Sequence, residues 1–292
     1  MGKSRATELV TQGYKVIGNV RKAVKDGILT LERNQYIGLL CYEDILEKMS
    51  RSEVESIAAV VTNTVKLHYP HAEVSIMGSY RRGKHGSGDV DILIVDPSYP
   101  AKLPVNPLAD ILDELTEDGH IAYHLTRNDG MKKFETLAKS EMKYVKSGSP
   151  RKYAASTEKF GCASWMGVFK SSFSGKHKMR RVDIKFYPYH QRVFASLYFT
   201  GNGHFNRSLR LLAKKRHQYR LNDKELFDTT ASKPVLRNPS TEREVFEALE
   251  VKWKEPNERD CFDAVETLDG QPVPKASLQE VEELSKEHAW IE

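Results

Sequence analysis

Two aspartates, Asp89 and Asp91, head an apolar run in the stretch "GSYRRGKHGSGDVDILIVD", Gly78 to Asp96. The two-residue period of a strand places both carboxylates on one face. Beyond them Val90, Ile92 and Ile94 alternate with Leu93 and Val95, which predicts a strand whose inner end is apolar on both faces. Ahead of them lie Arg81, Arg82, Lys84 and several glycines. Such a cationic, glycine-rich approach suits phosphate, with backbone N–H groups and the Ser79 hydroxyl as donors. A third aspartate, Asp183, occurs in "RRVDIKFYP". There Val182, Ile184 and Phe186 form one apolar face, leaving Arg181, Asp183 and Lys185 on the other. Burying an unpaired carboxylate costs several kcal/mol, roughly, so an aspartate among β-branched neighbours needs a reason. If these strands pair, Asp183 comes beside Asp89 and Asp91. Three convergent carboxylates can hold two Mg²⁺ ions about 3.5–4 Å apart, the arrangement that serves in-line phosphoryl transfer. Ser79 and Arg82 would then take the outer phosphates. A D-x-D pair is common in turns and caps, so the weight rests on its strand setting, on the glycine-serine approach and on Asp183.

The elements that must position these groups are short and mixed. Residues 1–53 read as small helices, with Gly13 stopping the first and a second around Ile17 to Val24. A longer helix follows Ser50, where Ser50 and Glu53 carry a capping-box signature. "EVSIMG" and "DVDILIV" are strands joined by the glycine-rich motif. "NPLADILDELTEDG" is an amphipathic helix closed by Gly119, and "HIAYHLT" is a strand. A polar, basic insertion spans 127–160. "ASWMGVF" and "RRVDIKFYPY" are strands joined by "KSSFSGKHKM". "QRVFASLYFTG" is a helix ending near Gly201, and "NRSLRLLAKKRHQYRL" is a basic one. "DGQPVPK" is a linker to a final helix with a second capping box, Ser277 and Glu280. This irregular alternation predicts α+β rather than a doubly wound sheet.

Composition narrows the function classes. The chain has 292 residues, 39% hydrophobic and 9% aromatic, which allows several subdomains with a substantial core. It shows no apolar run near the ~20 residues of a membrane span, no signal-peptide core, and no myristoylation pattern. Cys41, Cys162 and Cys261 are too dispersed for a disulfide framework or a zinc site and read as buried, reduced thiols. The net charge of +5 hides an asymmetry: residues 221–292 carry 9 Lys/Arg against 18 Asp/Glu, and residues 1–220 carry 36 against 22. Basic charge gathered in one part of the chain points to a polyanionic partner.

"GSYRRGKHGSGDVDILI", "RRVDI" and "YFTGNGHFNRSLR", in this order, resemble the family X DNA polymerases: polymerases beta, lambda, mu and terminal transferase. The resemblance covers roughly residues 2–260 and includes "ERNQYIGLLCYEDI" and "EVFEALEVKWKEPNERD". It implies a nucleotidyltransferase-type palm with a mixed sheet, flanked by a helical finger-like subdomain and a C-terminal α+β thumb-like one. The expected divisions are 1–53, a partial helix-hairpin-helix that binds DNA; 54–190, the palm with its insertion; 191–269, the subdomain that binds the nascent base pair; and 270–292, an acidic tail helix.

Carried over residue by residue, the resemblance makes Asp89, Asp91 and Asp183 the metal triad, with Asp183 accepting the primer hydroxyl's proton. Ser79, Arg82, Ser87, Gly88 and Lys48 become triphosphate contacts. Tyr198 and Phe199 crowd the sugar 2′ position, although core aromatics on a helix would look the same. Asn206 contacts the incoming base and Arg210 the template strand. Arg181 counts among the DNA-binding residues. Lys214 and Lys215, with Arg216, are phosphate contacts or simply solvated charge. Asn202 stands where the family has serine, and the insertion is longer than the usual strand connection. Relatives that add nucleotides without a template carry a loop longer than "KSSFSGKHKM" between the two strands.

The implied activity is template-directed addition of dNTPs, with two Mg²⁺ ions or Mn²⁺ in their place, to gapped or primer-template DNA in repair. A template-independent terminal transferase and an inactive DNA-binding scaffold are the rivals; the retained triad and Arg82 argue against the scaffold. The expected protein is a nuclear monomer that meets repair proteins, with mitochondrial and viral settings open. It is also expected to lack the lyase activity of the domain that precedes this region in repair members of the family.

Overall fold

The computed structural model describes residues 3–126, 132, 135–146, 162–175, 177–260, 265–270 and 273. Most of the 127–160 insertion, Cys261 and the expected tail helix with Ser277 and Glu280 lie outside them.

The chain opens with helices α1 (Lys3–Thr11), α2 (Ile17–Lys25), α3 (Arg33–Leu40) and α4 (Tyr42–Leu46). Gly13, at φ 95°, makes the first turn between them. Leu9, Val20, Val24, Leu31 and Ile37 form a small core that closes onto Ala122, Leu137 and Val168, so this unit leans on the sheet for part of its burial. Strand β1 (Met49–Ser50) leads into α5 (Arg51–His68). The expected division at 53/54 therefore cuts a helix.

The central sheet contains β2 (Glu73–Ile76), β4 (Val90–Asp96), β5 (Ile121–His124), β6 (Ala163–Ser171) and β7 (Lys178–Pro188), in the order β2-β4-β7-β6-β5. Only β4 and β7 pair in parallel; the other neighbours are antiparallel. The fold is α+β with a mixed sheet, as expected. Being central, β4 is buried on both faces, which is why its sequence is nearly continuous in Ile, Leu and Val. Val90, Ile92 and Ile94, with Val182, Ile184 and Phe186, pack under α5 and α7 (Ala109–Glu117). Leu93 and Val95 face the other way, against Met77, Tyr187 and Ala195. Each fully buried side chain of this size contributes about 1.5–3 kcal/mol.

The capping box at Ser50 is only half formed. Ser50 accepts from the Glu53 N–H at 3.2 Å. The Glu53 side chain does not return the bond, because it is buried and accepts from Arg180 at 2.7 and 3.1 Å and from Ser171 at 3.0 Å. A buried guanidinium outbids a backbone N–H for a carboxylate. Arg180 also donates to the carbonyl of Glu47 at 2.7 Å, tying the helical unit to β7 three residues before Asp183. The β6–β7 connection is shorter than the ten residues read from sequence. Ser171 pairs with Lys178, leaving residues 172–177, while Lys170 and Met179 belong to the strands.

The C-terminal unit comprises α8 (Arg192–Thr200), α9 (Gly203–His217), the strands β8 (Tyr219–Leu221), β9 (Leu226–Asp228) and β10 (Lys233–Pro234), and α10 (Glu242–Ala248). Its core gathers Phe194, Leu197, Phe205, Leu209, Val245 and Phe246. Asn202, in the family's serine position, is the N-cap of α9 and accepts from the Phe205 N–H at 2.9 Å. Lys214, Lys215, Arg216 and His217 occupy its last turn, where cations complement the helix dipole. Cys41 and Cys162 are buried free thiols, as read from sequence. Among the described residues no helix is long and apolar enough to cross a membrane.

Candidate active site

Parallel pairing of β4 with β7 sets Asp91 directly opposite Asp183. Their neighbours Val90, Ile92, Val182 and Ile184 fill the core beneath, so both carboxylates are turned to the other face. Asp89 stands one residue ahead of β4. Arg181 reaches between the carboxylates, its Nη2 3.2 Å from Asp89 and 3.8 Å from Asp183. Burial, with the charges of Asp89 and Asp183 nearby, drives the Asp91 carboxyl well above its usual range. Burial pushes Asp183 up to about 6, against the attraction of Arg181 and with the repulsion of Asp89. The Oδ1 of Asp183 is buried and has no hydrogen-bond partner.

That orphaned oxygen and the crowding of negative charge suit a hard divalent cation, which takes carboxylate oxygens. The cage is not closed, however: among the described residues no three His, Cys, Asp or Glu side chains are disposed to surround one ion. For the two-ion centre expected from sequence, Asp89, Asp91 and Asp183 offer carboxylate donors but, among the described residues, not a finished coordination sphere. Arg181, bridging Asp89 and Asp183, supplies the positive charge there.

The glycine-rich motif docks on the carboxylates. The Met77 N–H donates to the Asp91 carbonyl at 2.8 Å, and a short turn of helix, α6 (Gly78–Arg81), follows. Gly78 has φ 56°, and a Cβ on it would lie 1.8 Å from Asp91 Oδ2. Both facts exclude a side chain: the left-handed backbone favours glycine, and the carboxylate occupies the space. Gly78→Ala is therefore expected to displace Asp91 and to lower the activity expected from sequence about 10²-fold, a cost that misplacing a group by about 1 Å can carry. Activity of that variant within threefold of the parent would show that Asp91 adapts.

The other expected phosphate contacts are partly gathered. Ser79 donates to Ser87 Oγ at 2.9 Å. A short strand pair, β1 with β3 (Gly86–Ser87), brings the preceding Lys48 alongside, its Cβ and Cδ 3.3 Å from where a Cβ on Gly86 would lie. Gly88 is exposed. Arg82 lies at the end of α6, but its guanidinium is engaged with the C-terminal unit. It donates to Asp260 at 2.7 Å and to the Thr200 carbonyl at 2.6 Å. Tyr198 and Phe199, half-buried, meet edge to face at 5.6 Å. Arg210 lies over the Tyr198 ring at 4.9 Å and Lys185 over Phe199 at 4.3 Å. Asn206 donates to the Tyr198 carbonyl at 2.8 Å. Asn206 and Arg210 are buried, at 8% and 6% exposure, so both residues read as contacts to base and template are turned inward. Lys214 and Lys215 are on the surface.

Comparison with known proteins gives this geometry a family. Residues 48–189 match the DNA polymerase beta palm and residues 195–260 the DNA polymerase beta thumb. DNA polymerase lambda of Rattus norvegicus is 30% identical over 262 residues, covering 85% of this chain and 38% of the relative. DNA nucleotidylexotransferase of Homo sapiens is 28% identical over 269 residues, 89% of this chain and 50% of the relative. That of Gallus gallus is 28% identical over 258 residues, 83% and 46%. The chain belongs to family X. It spans between about two fifths and one half of the length of these relatives.

In this family X chain, the residues that join palm to thumb were not legible in the sequence. Glu242 accepts from Arg81 and Ser196 through one oxygen, at 2.7 and 2.6 Å, and from Arg259 through the other at 2.7 Å. Tyr187 donates to Asp223 at 2.5 Å. Asp260 holds Arg82 and Lys84. The strings "RRG" and "NERD" were visible among the family motifs, yet nothing local said that residues about 160–180 positions apart in sequence would become partners.

Proposed function

We propose that the chain is a template-directed DNA polymerase that extends a primer 3′-hydroxyl with dNTPs across short gaps in DNA under repair. The reading of nucleotidyl transfer rests on the pairing that sets Asp91 against Asp183 beside the Gly78–Gly88 motif. Asp89, Asp91 and Asp183 would hold the Mg²⁺ ions, or Mn²⁺ in their place. When bound, such ions lower the pKa of the attacking hydroxyl and offset charge on the triphosphate. The orphaned Oδ1 of Asp183 is suited to accept the hydroxyl proton. Ser79, Ser87, Gly88, Lys48 and Arg82 would bind the triphosphate. The edge formed by Tyr198 and Phe199 would exclude a 2′-hydroxyl by crowding. Asn206 and Arg210 would reach the base pair and template by exchanging their contacts with Tyr198 for contacts with DNA. Arg181, Lys214 and Lys215 would meet DNA, the last two through phosphates. Such a reaction would act where DNA is repaired, in the nucleus or in the mitochondrial or viral settings left open by the sequence.

The six residues 172–177 between β6 and β7 support dependence on a template. A connection of this length is close to an ordinary hairpin loop, too short to stand in for a strand. The second reading, template-independent addition, is favoured by the similarity to proteins named DNA nucleotidylexotransferase. Extension of a gapped duplex and of a single-stranded oligonucleotide, side by side with Mg²⁺, separates the two. The gapped substrate should be extended and the single strand scarcely. Robust single-strand extension that is lost on deleting residues 130–155 would instead assign the basic insertion the role of a missing loop.

A further inference from the structure

Arg81 and Arg82, adjacent in the motif, are each held by a different carboxylate of the thumb: Glu242 for the first and Asp260 for the second. Asp260 does more than pair once. Its Oδ1 accepts from Arg82 Nε at 2.7 Å, and its Oδ2 meets the Lys84 ammonium. One carboxylate thus gathers two cations of the loop read as the triphosphate seat. The Thr200 carbonyl takes a second Arg82 donor, from Nη1, at 2.6 Å. The guanidinium also lies close to the backbone at Gly201, where a Cβ would come within 3.1 Å of Nη1.

A negative charge beside a polyanion seat opposes binding, because like charges in a partly shielded cleft repel appreciably. Asp260 is ionised despite this: against the burial that would raise it, Lys84 and Arg82 hold its carboxyl below the usual range. The compensation lies in geometry. A guanidinium carries five donors in one rigid plane. Bonds at Nε and Nη1 to two acceptors on different elements fix that plane, and three donors remain. A long side chain that would otherwise search many rotamers is ordered before the ligand arrives, which is how preorganisation raises affinity.

We propose that Asp260 is a positioning residue for the triphosphate of the incoming nucleotide, orienting Arg82 and Lys84 so that the motif offers a preformed cationic seat. The inference rests on the nucleotidyl-transfer reading. Asp260 belongs to the thumb, whereas Arg82 and Lys84 belong to the palm, so the seat is complete only when these units are packed together.

Two measurements on the same chain test it. In metal-free buffer, inorganic tripolyphosphate is titrated calorimetrically into the parent, Asp260→Ala and Asp260→Asn. With Mg²⁺ and gapped DNA, KM for the dNTP and kcat are measured separately. Asp260→Ala should bind tripolyphosphate about tenfold more weakly and raise KM by a similar factor, the cost of re-ordering a cationic side chain at each binding event, while kcat changes far less. Asp260→Asn, whose amide oxygen still accepts from Arg82 Nε, should recover most of the loss, a rescue that a merely structural role would not show. Equal or tighter tripolyphosphate binding and an unchanged or lower KM in Asp260→Ala would overturn the proposal and leave Asp260 as a repulsive neighbour. If the parent inserts no nucleotide, the activity reading fails while the tripolyphosphate titration still decides the role of Asp260. Failure of the parent to bind tripolyphosphate overturns the proposal as well. Should Asp260→Ala fail to fold, Asp260→Glu, which shifts the carboxylate by one methylene, carries the same test: weaker binding is expected, and parental binding would overturn it.

Discussion

Asp183→Ala is expected to slow extension of a gapped primer by at least about 10³-fold, while binding of the same DNA survives. The residue faces Asp91 across the parallel pair β4–β7, and its Oδ1 is buried without a partner. In the proposed mechanism its removal deletes a metal donor and a proton acceptor together, and Asp91, fixed on the neighbouring strand, stays across from the emptied position. Extension within tenfold of the parent would refute the triad. The same position should show that the site is held against the interest of stability. Burial that lifts Asp183 to about 6 penalises the fold fully above that pH, and the penalty fades as pH falls toward the unfolded carboxylate's value near 4. Asp183→Asn, equally inactive, should therefore melt several degrees higher than the parent in EDTA at pH 8, about 2–4 °C per kcal/mol for a chain of this size. An unchanged or lower melting temperature would mean that the carboxylate is stabilised by partners the structure does not give it.

The second large effect is on stability. Glu242→Ala should lower the unfolding free energy by about 3–5 kcal/mol, because it strands a buried cation. The Arg259 side chain is 0% exposed, and Glu242 is its charged partner. Its guanidinium is otherwise surrounded by the rings of Phe205, Phe246 and Trp253, at 5.8, 5.1 and 5.0 Å. Burial already depresses the Arg259 pKa, with Glu242 opposing that trend. The variant would also release Arg81 and Ser196, loosening the thumb from the palm. Thermal melting should fall by about 10 °C on the scaling above. Glu242→Gln, which keeps hydrogen-bonding capacity without the charge, should fall between the two. A melting temperature for Glu242→Ala within two or so degrees of the parent would show that water or a rearranged neighbour satisfies Arg259.

Local pattern carried much of this protein. The strand period in "VDILIV" and "RRVDIKFY" was enough to set Val90, Ile92, Val182 and Ile184 on the face opposite Asp91 and Asp183, because the alternation of faces is a property of the backbone alone. Helix stops at Gly13, Gly119 and Gly201 were legible for the same reason, since each adopts a positive φ that few other residues tolerate. The family motifs, in order, were legible too. What local pattern could not decide was partnership. Glu53 carried a helix-cap signature, yet its side chain serves Arg180, brought to it by the sheet. Arg82 looked like a phosphate contact and is held by Asp260, 178 residues away in sequence. Gly78 read as a backbone donor for phosphate, whereas the packed structure shows it also making room for a carboxylate. Periodicity and turn chemistry act over a few residues and leave their mark in the sequence nearby. A long charged side chain chooses among all the acceptors that packing brings within reach, and burial strengthens the chosen pair, so those choices exist only once palm and thumb have met.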